Sequence, residues 1–535
     1  MLITWKVIMN TFIKFSLCLL VFLQLNATSF AFEHEDSDVH FLEYDPNVIQ
    51  KNRFKKKPYF LLFAAQWCHW CHVFNEKTLT DEKVISYLNE NFVNVFIDAD
   101  INTSAYQKYK AKGVPFTVFL NPDTSEYYKY SGTLYAEPFL EVIQDVIQNV
   151  KQGKTVDGEK IFTFEYNPPT KFNESTLDNM RNTYIKGVLD NFDTEEYGVG
   201  NGIKTILPET FLYLINSTKG ENRQDSVLWI SETLKKAIEN IYDPIEGGFF
   251  RYAETDDWDI PHYEKMAGLN AGSILLLYKV NKEIPNPIFV KVAQQTVKYL
   301  TNTLYDEETG SFLSFQEADT SYYFLNENSR KNVKPPLTIG KVFTDHLAVT
   351  LTFLLDVLDY SKNIILKKKV LRSLDFLSEM ILNNKQIYHF YTIKEKQWHG
   401  KSGLQDHVLL AKLFKRAAVK FRDERYHQAC LKMLRFSKLN YFDEKKQIFV
   451  DPELDANDYE YLMAMNGDIA FALMDQRKKL SNQKHSPVKP IITYFSGLNE
   501  LLEDKFWDSK SWDFLERSAS FLSSADSFLA TQSNP

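Results

Sequence analysis

The chain has 535 residues, of which 44% are apolar, 25% charged and 15% aromatic, and its formal net charge is −8. That length exceeds one ordinary core, so two or more domains are expected, and the composition is that of a globular chain rather than a disordered one. The acidic balance, with no basic stripe beyond Lys55-Lys56-Lys57, argues against a nucleic-acid-binding surface.

In chain order, Lys14 is followed by the apolar run Phe15 to Leu23, too short to span a bilayer comfortably. Ser29-Phe30-Ala31 then offers a small-x-Ala cleavage site ahead of acidic Glu33-His34-Glu35-Asp36. This layout predicts a secretory signal peptide over residues 1–31, more regular if translation starts at Met9 than at Met1. The expected location is therefore exported, either periplasmic or secreted. No later stretch is apolar for long enough to cross a membrane, so no transmembrane segment is expected after cleavage. Cleavage also leaves Cys68, Cys71 and Cys430, too few for a disulfide scaffold. One close pair and one orphan suggest chemistry plus a buried thiol, and Cys430 falls in a helical core pattern.

Residues 32–155 alternate between strand and helix patterns. Pro58 to Ala65 reads as a buried strand, and His69 to Asn91 as helix interrupted near Thr78-Leu79-Thr80-Asp81. Phe92 to Asp98, Phe116 to Leu120 and Tyr127 to Tyr130 read as further strands, with a short helix near Tyr106–Lys110 and an amphipathic one from Glu137 to Val150. Strand-helix-strand followed by a hairpin and a closing helix is the thioredoxin topology, an α/β fold. Trp67-Cys68-His69-Trp70-Cys71-His72 falls where the first strand ends and the first helix opens. There the leading sulfur sits over free N–H groups and the positive end of the macrodipole, which favours the thiolate. Cys68 is thus expected to attack and Cys71 to resolve the mixed disulfide. Gly113-Val114-Pro115 stands where a cis-proline loop would face the cysteines and offer a backbone edge to a partner, so Pro115 joins the site. Trp67, His69, Trp70 and His72 are the redox-tuning neighbours. The implied partner is a protein thiol or disulfide, either client or redox partner, and no cofactor is required. Cys68, His69, Cys71 and His72 crowd one helical turn and cannot all converge on one ion, so no metal is expected. Thioredoxins carry a buried Asp six residues before the first cysteine; Leu62 holds that position here, leaving resolution to solvent or to His72.

After a linker at 156–172, helical stretches of 12 to 18 residues succeed one another over 173–535, among them Val227–Tyr242, Asn270–Lys282, Phe289–Leu304, Leu347–Tyr360, Lys367–Leu382 and Gln405–Phe421. An aromatic–Asp–turn–Gly–Phe phrase recurs between them, at Phe192-Asp193, Tyr242-Asp243, Tyr305-Asp306 and, in worn form, Phe442-Asp443. Each Asp can cap its turn and each Gly allows a positive φ. About six helical hairpins closing a ring give an all-α (α/α)6 toroid with those loops at one mouth.

The stretch Gly247-Gly248-Phe249-Phe250-Arg251-Tyr252, followed by Trp258 to Met266 with its Pro261-His262-Tyr263-Glu264-Lys265 phrase, resembles the spermatogenesis-associated protein 20 family. So do Cys68–Val73, Leu88–Val93, Gln316–Asp319, Gly340–Thr344, Leu404–His407 and Asp423–Tyr426, in order. The resemblance implies a thioredoxin-like domain joined to a six-hairpin glycosidase-like toroid, over nearly the whole mature chain of an abridged member. Departures fall at the expected mouth: Asp345-His346 replaces the family's Trp-Asn, and Phe250 replaces its His. The second candidate site is the polar group Arg251, His262, Glu264 and Lys265, with Asp319, Asp345, His346, Asp406 and His407. Acids and histidines of this kind suit sugar isomerisation or hydrolysis, or else brace the loops. Three functions follow: an exported thiol–disulfide oxidoreductase whose toroid binds a client or glycan; a carbohydrate-active enzyme, epimerase or glycosidase-like, with an accessory thioredoxin domain; or a non-catalytic binding protein.

Overall fold

The computed structural model describes residues 38–45, 47–111, 113–152, 168–452, 459–474, 488–496 and 512–533. The signal peptide expected over 1–31 and residues 156–167 of the expected linker lie outside them. No described helix is long and apolar enough to cross a membrane.

The N-terminal region is a thioredoxin-like α/β domain. Strands β1 (Phe41–Glu43), β2 (Tyr59–Ala64), β3 (Val93–Asp98), β4 (Phe116–Leu120) and β5 (Glu126–Ser131) form one sheet in the order β1-β3-β2-β4-β5. The first three are parallel, β4 runs against β2, and β5 pairs antiparallel with β4 as a hairpin. Strand β2 is Tyr-Phe-Leu-Leu-Phe-Ala, apolar at consecutive positions and buried at all of them, as a strand covered on both faces must be. Helices α1 (His69–Lys77), α2 (Glu82–Asn91), α3 (Thr103–Lys108) and α4 (Ala136–Lys151) belong to the domain, and a short helical segment, Val48–Asn52, precedes β2. The break between α1 and α2 falls at Thr78–Asp81, where the Asp81 carboxylate accepts from the N–H groups of Lys83 and Val84 and starts α2.

The C-terminal region is an (α/α)6 toroid. Its inner ring is α6 (Pro208–Ser217), α8 (Ala267–Glu283), α10 (Thr344–Val357), α12 (Leu404–Phe421), α14 (Tyr459–Leu473) and α16 (Trp512–Ser533); each packs on the next, and α16 returns to α6. The outer helices are α5 (Glu174–Asp190), α7 (Gly220–Asn240), α9 (Pro287–Asn302), α11 (Ile364–Asn383), α13 (Glu424–Tyr441) and α15 (Val488–Phe495). An inner helix is covered on nearly all sides, so α8 and α10 are buried over most of their length, whereas α9 and α11 carry one apolar stripe.

The repeated phrase builds the mouth. After α5, α7, α9 and α13 the chain forms a small antiparallel bridge, Phe192 to Val199, Tyr242 to Phe249, Tyr305 to Phe312 and Phe442 to Phe449. In each, the Asp carboxylate accepts from backbone N–H groups two or three residues on: Asp193 from Glu195, Asp243 from Ile245, Asp306 from Thr309 and Asp443 from Lys445. Gly198, Gly248 and Gly310 take positive φ, and in the worn copy Gln447 does so instead, at φ 58. Between α11 and α12 the sequence suggested no strands, yet Tyr388–Thr392 and Gln397–Lys401 pair as a hairpin that also takes in Lys341–Phe343. Its turn lacks an Asn-Gly signal because Lys396 adopts the left-handed conformation, φ 54.

The two regions meet at this mouth. Phe315, Ile339, Phe343 and Phe390 from the toroid belong to the same buried apolar cluster as Phe60, Trp67, Cys68 and Cys71 from the thioredoxin-like domain.

Candidate functional site

Cys68 and Cys71 are bonded as a disulfide with Cα atoms 5.2 Å apart. Cys68 is the N-cap of α1, and its sulfur accepts from the Cys71 N–H at 3.1 Å, so the macrodipole end is occupied as the spacing requires. The same sulfur lies 3.3 Å from the Val114 carbonyl oxygen, and the Val114–Pro115 peptide is cis. The Thr133 hydroxyl donates to the Trp70 carbonyl at 2.8 Å, and His72 Nε2 lies 2.8 Å from the Gln66 carbonyl, which ties down both sides of the loop. The His69 side chain lies outside the described residues.

The pair is buried: Cys68 is only 2% exposed and Cys71 3%. The toroid covers the residue beside the pair. Trp67 packs on Phe315 at 5.2 Å, and the Arg251 guanidinium sits 4.9 Å over the Trp67 ring. What remains half-exposed beside the disulfide is Trp70, Gly113 and Val114.

The toroid candidates separate into distinct groups. Arg251, Glu264 and His262 are together: Arg251 Nη1 donates to Glu264 at 3.1 Å, and His262 Nε2 lies 3.2 Å from the other Glu264 oxygen. His262 Nδ1 faces Glu254 at 3.2 Å, and the imidazole stacks on Tyr252 at 4.5 Å. Burial pushes the Glu264 carboxyl up, but His262 and Arg251 more than offset it and hold it low. Lys265 points elsewhere. It is fully buried, donates to Asp243 at 2.8 Å and to the Gly247 carbonyl, and lies over the rings of Phe250, Tyr299 and Tyr323. Burial pushes its ammonium down to about 8. Asp319 caps the short helix Thr320–Tyr323.

Asp345, His389 and Asp406 bring donor atoms within 4.8 Å of one another, close enough for a shared ion. His389 already spends both nitrogens, however. Nδ1 is 2.9 Å from both Asp406 oxygens, and Nε2 is 2.5 Å from the Asp100 carbonyl in the other domain. The Asp100 carbonyl can only accept, so the ring's Nε2 carries a proton. Burial alone would lower its pKa; Asp406 and Asp345 carry it up to about 10. Asp345 accepts from Gln405 and from the His346 N–H. His407 is buried against Tyr441, its Nε2 2.8 Å from Ser402 Oγ, and burial pushes it down to about 4. The network continues to the residue before Cys68: Trp67 Nε1 donates to Asp100 at 2.8 Å, and burial together with Asp98 raises the Asp100 carboxyl to about 8.

Sequence reading missed His389 and Asp100. His389 alone left a trace, as the polar residue of an otherwise aromatic strand Tyr388-His389-Phe390-Tyr391.

A family-model match agrees with the thioredoxin-like part of this architecture. The family model Thioredox_DsbH, described as a protein of unknown function, DUF255, matches residues 22–165. Spermatogenesis-associated protein 20 of Rattus norvegicus is 24% identical over 317 residues, 54% of this chain and 40% of that protein; its Homo sapiens counterpart is 22% identical over 366 residues, 59% and 46%. The chain thus spans less than half the length of these relatives, and the matched stretch is shorter than the whole mature chain. Among solved structures, the cellobiose 2-epimerase from Bacillus thermoamylovorans is similar at TM-score 0.48 and 10% identity, covering 66% of this chain and all of that one. A DsbH oxidoreductase is similar at TM-score 0.19 and 14% identity, covering 23% of this chain and 96% of that one. The chain resembles the spermatogenesis-associated protein 20 family, a thioredoxin-like domain followed by a six-hairpin toroid.

Proposed function

We propose that the chain is an exported thiol–disulfide oxidoreductase in which Cys68 is attacked and Cys71 leaves, the toroid holding a protein client or a glycan carried by it. The observation that carries this reading is the disulfide at the head of α1, 3.3 Å from the carbonyl that precedes cis-Pro115. The family-model match over 22–165 supports the thioredoxin part, and the apolar run ahead of Ser29-Phe30-Ala31 supports export.

In the oxidising direction a client thiolate attacks Cys68 Sγ. The Cys68–Cys71 bond breaks, and Cys71 leaves as a thiolate and takes a proton. A second client thiolate attacks the client sulfur of the mixed disulfide and releases Cys68. Two electrons pass from the client dithiol to the pair; the reverse sequence reduces a client disulfide. Because both sulfurs are buried, the attacking group reaches them past Trp70 and Val114 as a slim thiol or extended segment, or after the Arg251 face has lifted.

Equilibration with glutathione buffers, acid quenching, alkylation and mass spectrometry test this. Wild type should interconvert between disulfide and dithiol, and Cys71→Ser should hold glutathione on Cys68. A pair that stays unchanged at every glutathione ratio overturns the proposal. The sugar-enzyme reading would use His262, Glu264, Asp345 and Asp406, all engaged with neighbouring side chains, and no observation favours it.

A further inference from the structure

Beneath the disulfide lies a small cavity walled by Leu62, Phe74, Leu79 and Pro115, with Cys71 and Asn75 also lining it. Its walls are apolar, and Leu62 stands where a carboxylate would otherwise serve the resolving thiol. Asn75 is one helical turn beyond Cys71, on the same side of α1, and is 7% exposed. Its Oδ1 is fully buried and has no hydrogen-bond partner among the described residues. An orphaned buried acceptor costs free energy, and native structures rarely keep one without a use.

We infer that Asn75 is a redox-positioning residue: its Oδ1 is left unpaired in the disulfide state and accepts the Cys71 S–H when the bond opens. The inference rests on the oxidoreductase reading for its consequence, although the hydrogen bond itself does not. When an attacking thiolate displaces Cys71, the leaving sulfur takes a proton and becomes a donor inside a cavity that the unpaired Asn75 lines. Opening the disulfide therefore removes an unsatisfied group and makes a bond, which favours the dithiol and makes the pair a stronger oxidant. The amide does this without a charge, so it does not ionise in the apolar cavity as a carboxylate would.

Asn75→Ala should shift the glutathione equilibrium toward the disulfide by about tenfold, about 30 mV for this two-electron couple. Its effect on thermal stability should differ between states: unchanged or raised melting when oxidised, lowered when reduced. Asn75→Asp, which keeps an acceptor, should not move the equilibrium in the direction of the alanine variant. In chemically reduced protein, the infrared difference between wild type and Asn75→Ala should show an S–H stretch moving to higher frequency as the acceptor is lost. An unmoved equilibrium, or equal destabilisation of both states, overturns the inference. If the pair never exchanges with glutathione the oxidoreductase reading fails, and the S–H band still decides whether Asn75 receives Cys71.

Discussion

The guanidinium of Arg251 lies 4.9 Å over the indole ring of Trp67, so a toroid side chain covers the residue next to the leading cysteine. Arg251 is itself held by the buried Glu264 carboxylate, and Trp67 by Asp100, so the stack is clamped at both ends. A cation–π contact of this kind is worth ~1 kcal/mol or somewhat more when desolvated.

Arg251→Ala should therefore loosen the cover. Reduction of the disulfide by a bulky phosphine should accelerate several-fold while reduction by a small thiol changes less. Glu264 keeps His262 as partner, so the thermal stability cost should stay within ~1–3 kcal/mol. Equal rates for wild type and variant with the bulky reagent would show that the stack does not gate access.

Alkaline pH should weaken the contact between domains. His389 titrates at about 10 in the fold against 6.5 for the free ring. A raised cationic pKa gives stability that is complete below pH ~6.5 and drains away as pH climbs toward 10. Asp100, raised to about 8 chiefly by burial, acts in the same sense up to about pH 8 because the fold prefers it protonated, whereas Asp406, raised to about 6, loses its contribution below this range. Melting temperature should fall steadily between pH 6.5 and 10, and His389→Gln should flatten that slope while lowering stability at pH 6. A slope unchanged in the variant would remove His389 from this role.

Lys265 should prove structural. Lys265→Ala leaves an aromatic-lined hole and strips Asp243 of one of its two cations, Arg330 remaining at 2.9 Å. Breaking a buried pair of this kind costs ~3–5 kcal/mol. Lys265→Met, which refills the space, should recover part of that loss in a denaturant melt. Normal stability in the alanine variant would contradict the ion-pair account.

Gly248→Ala tests the repeated turn. Gly248 has φ +87, and an added Cβ would come within 2.6 Å of the Tyr299 ring. Strain and clash together should cost ~2–4 kcal/mol. Gly132→Ala, at φ +100 with nothing within 4 Å of its Cβ, should cost only the strain, ~1 kcal/mol. Comparable losses at both positions would mean that the ring contact carries no weight.

The features legible in the sequence were those encoded by neighbours along the chain. The Cys68–Cys71 spacing, the break at Thr78–Asp81, the Asp-turn-Gly phrases and helix periods all reappear within a few residues of where the pattern put them. The pairing of distant groups was not legible. Nothing local distinguishes Lys265, caged by Phe250, Tyr299 and Tyr323, from His262 three residues earlier, which faces Glu264. Both belong to one polar phrase, and tertiary packing sends them to separate networks. His389 was hidden for the same reason, since its partners Asp406 and Asp100 lie in other parts of the chain. The covering of Trp67, next to Cys68, was hidden because it comes from Arg251 and Phe315, far along the chain.

The shared apolar cluster has a consequence for biosynthesis. Cys68 and Cys71 leave the ribosome long before Phe315, Phe343 and Phe390 are made, so for much of synthesis the pair has no roof. Its oxidation state can be set during that interval by whatever thiols the nascent chain meets. Completing the ring then places the toroid's aromatic side chains in the same buried cluster as the pair, so exchange in the finished molecule has to pass a cover that the nascent chain lacks.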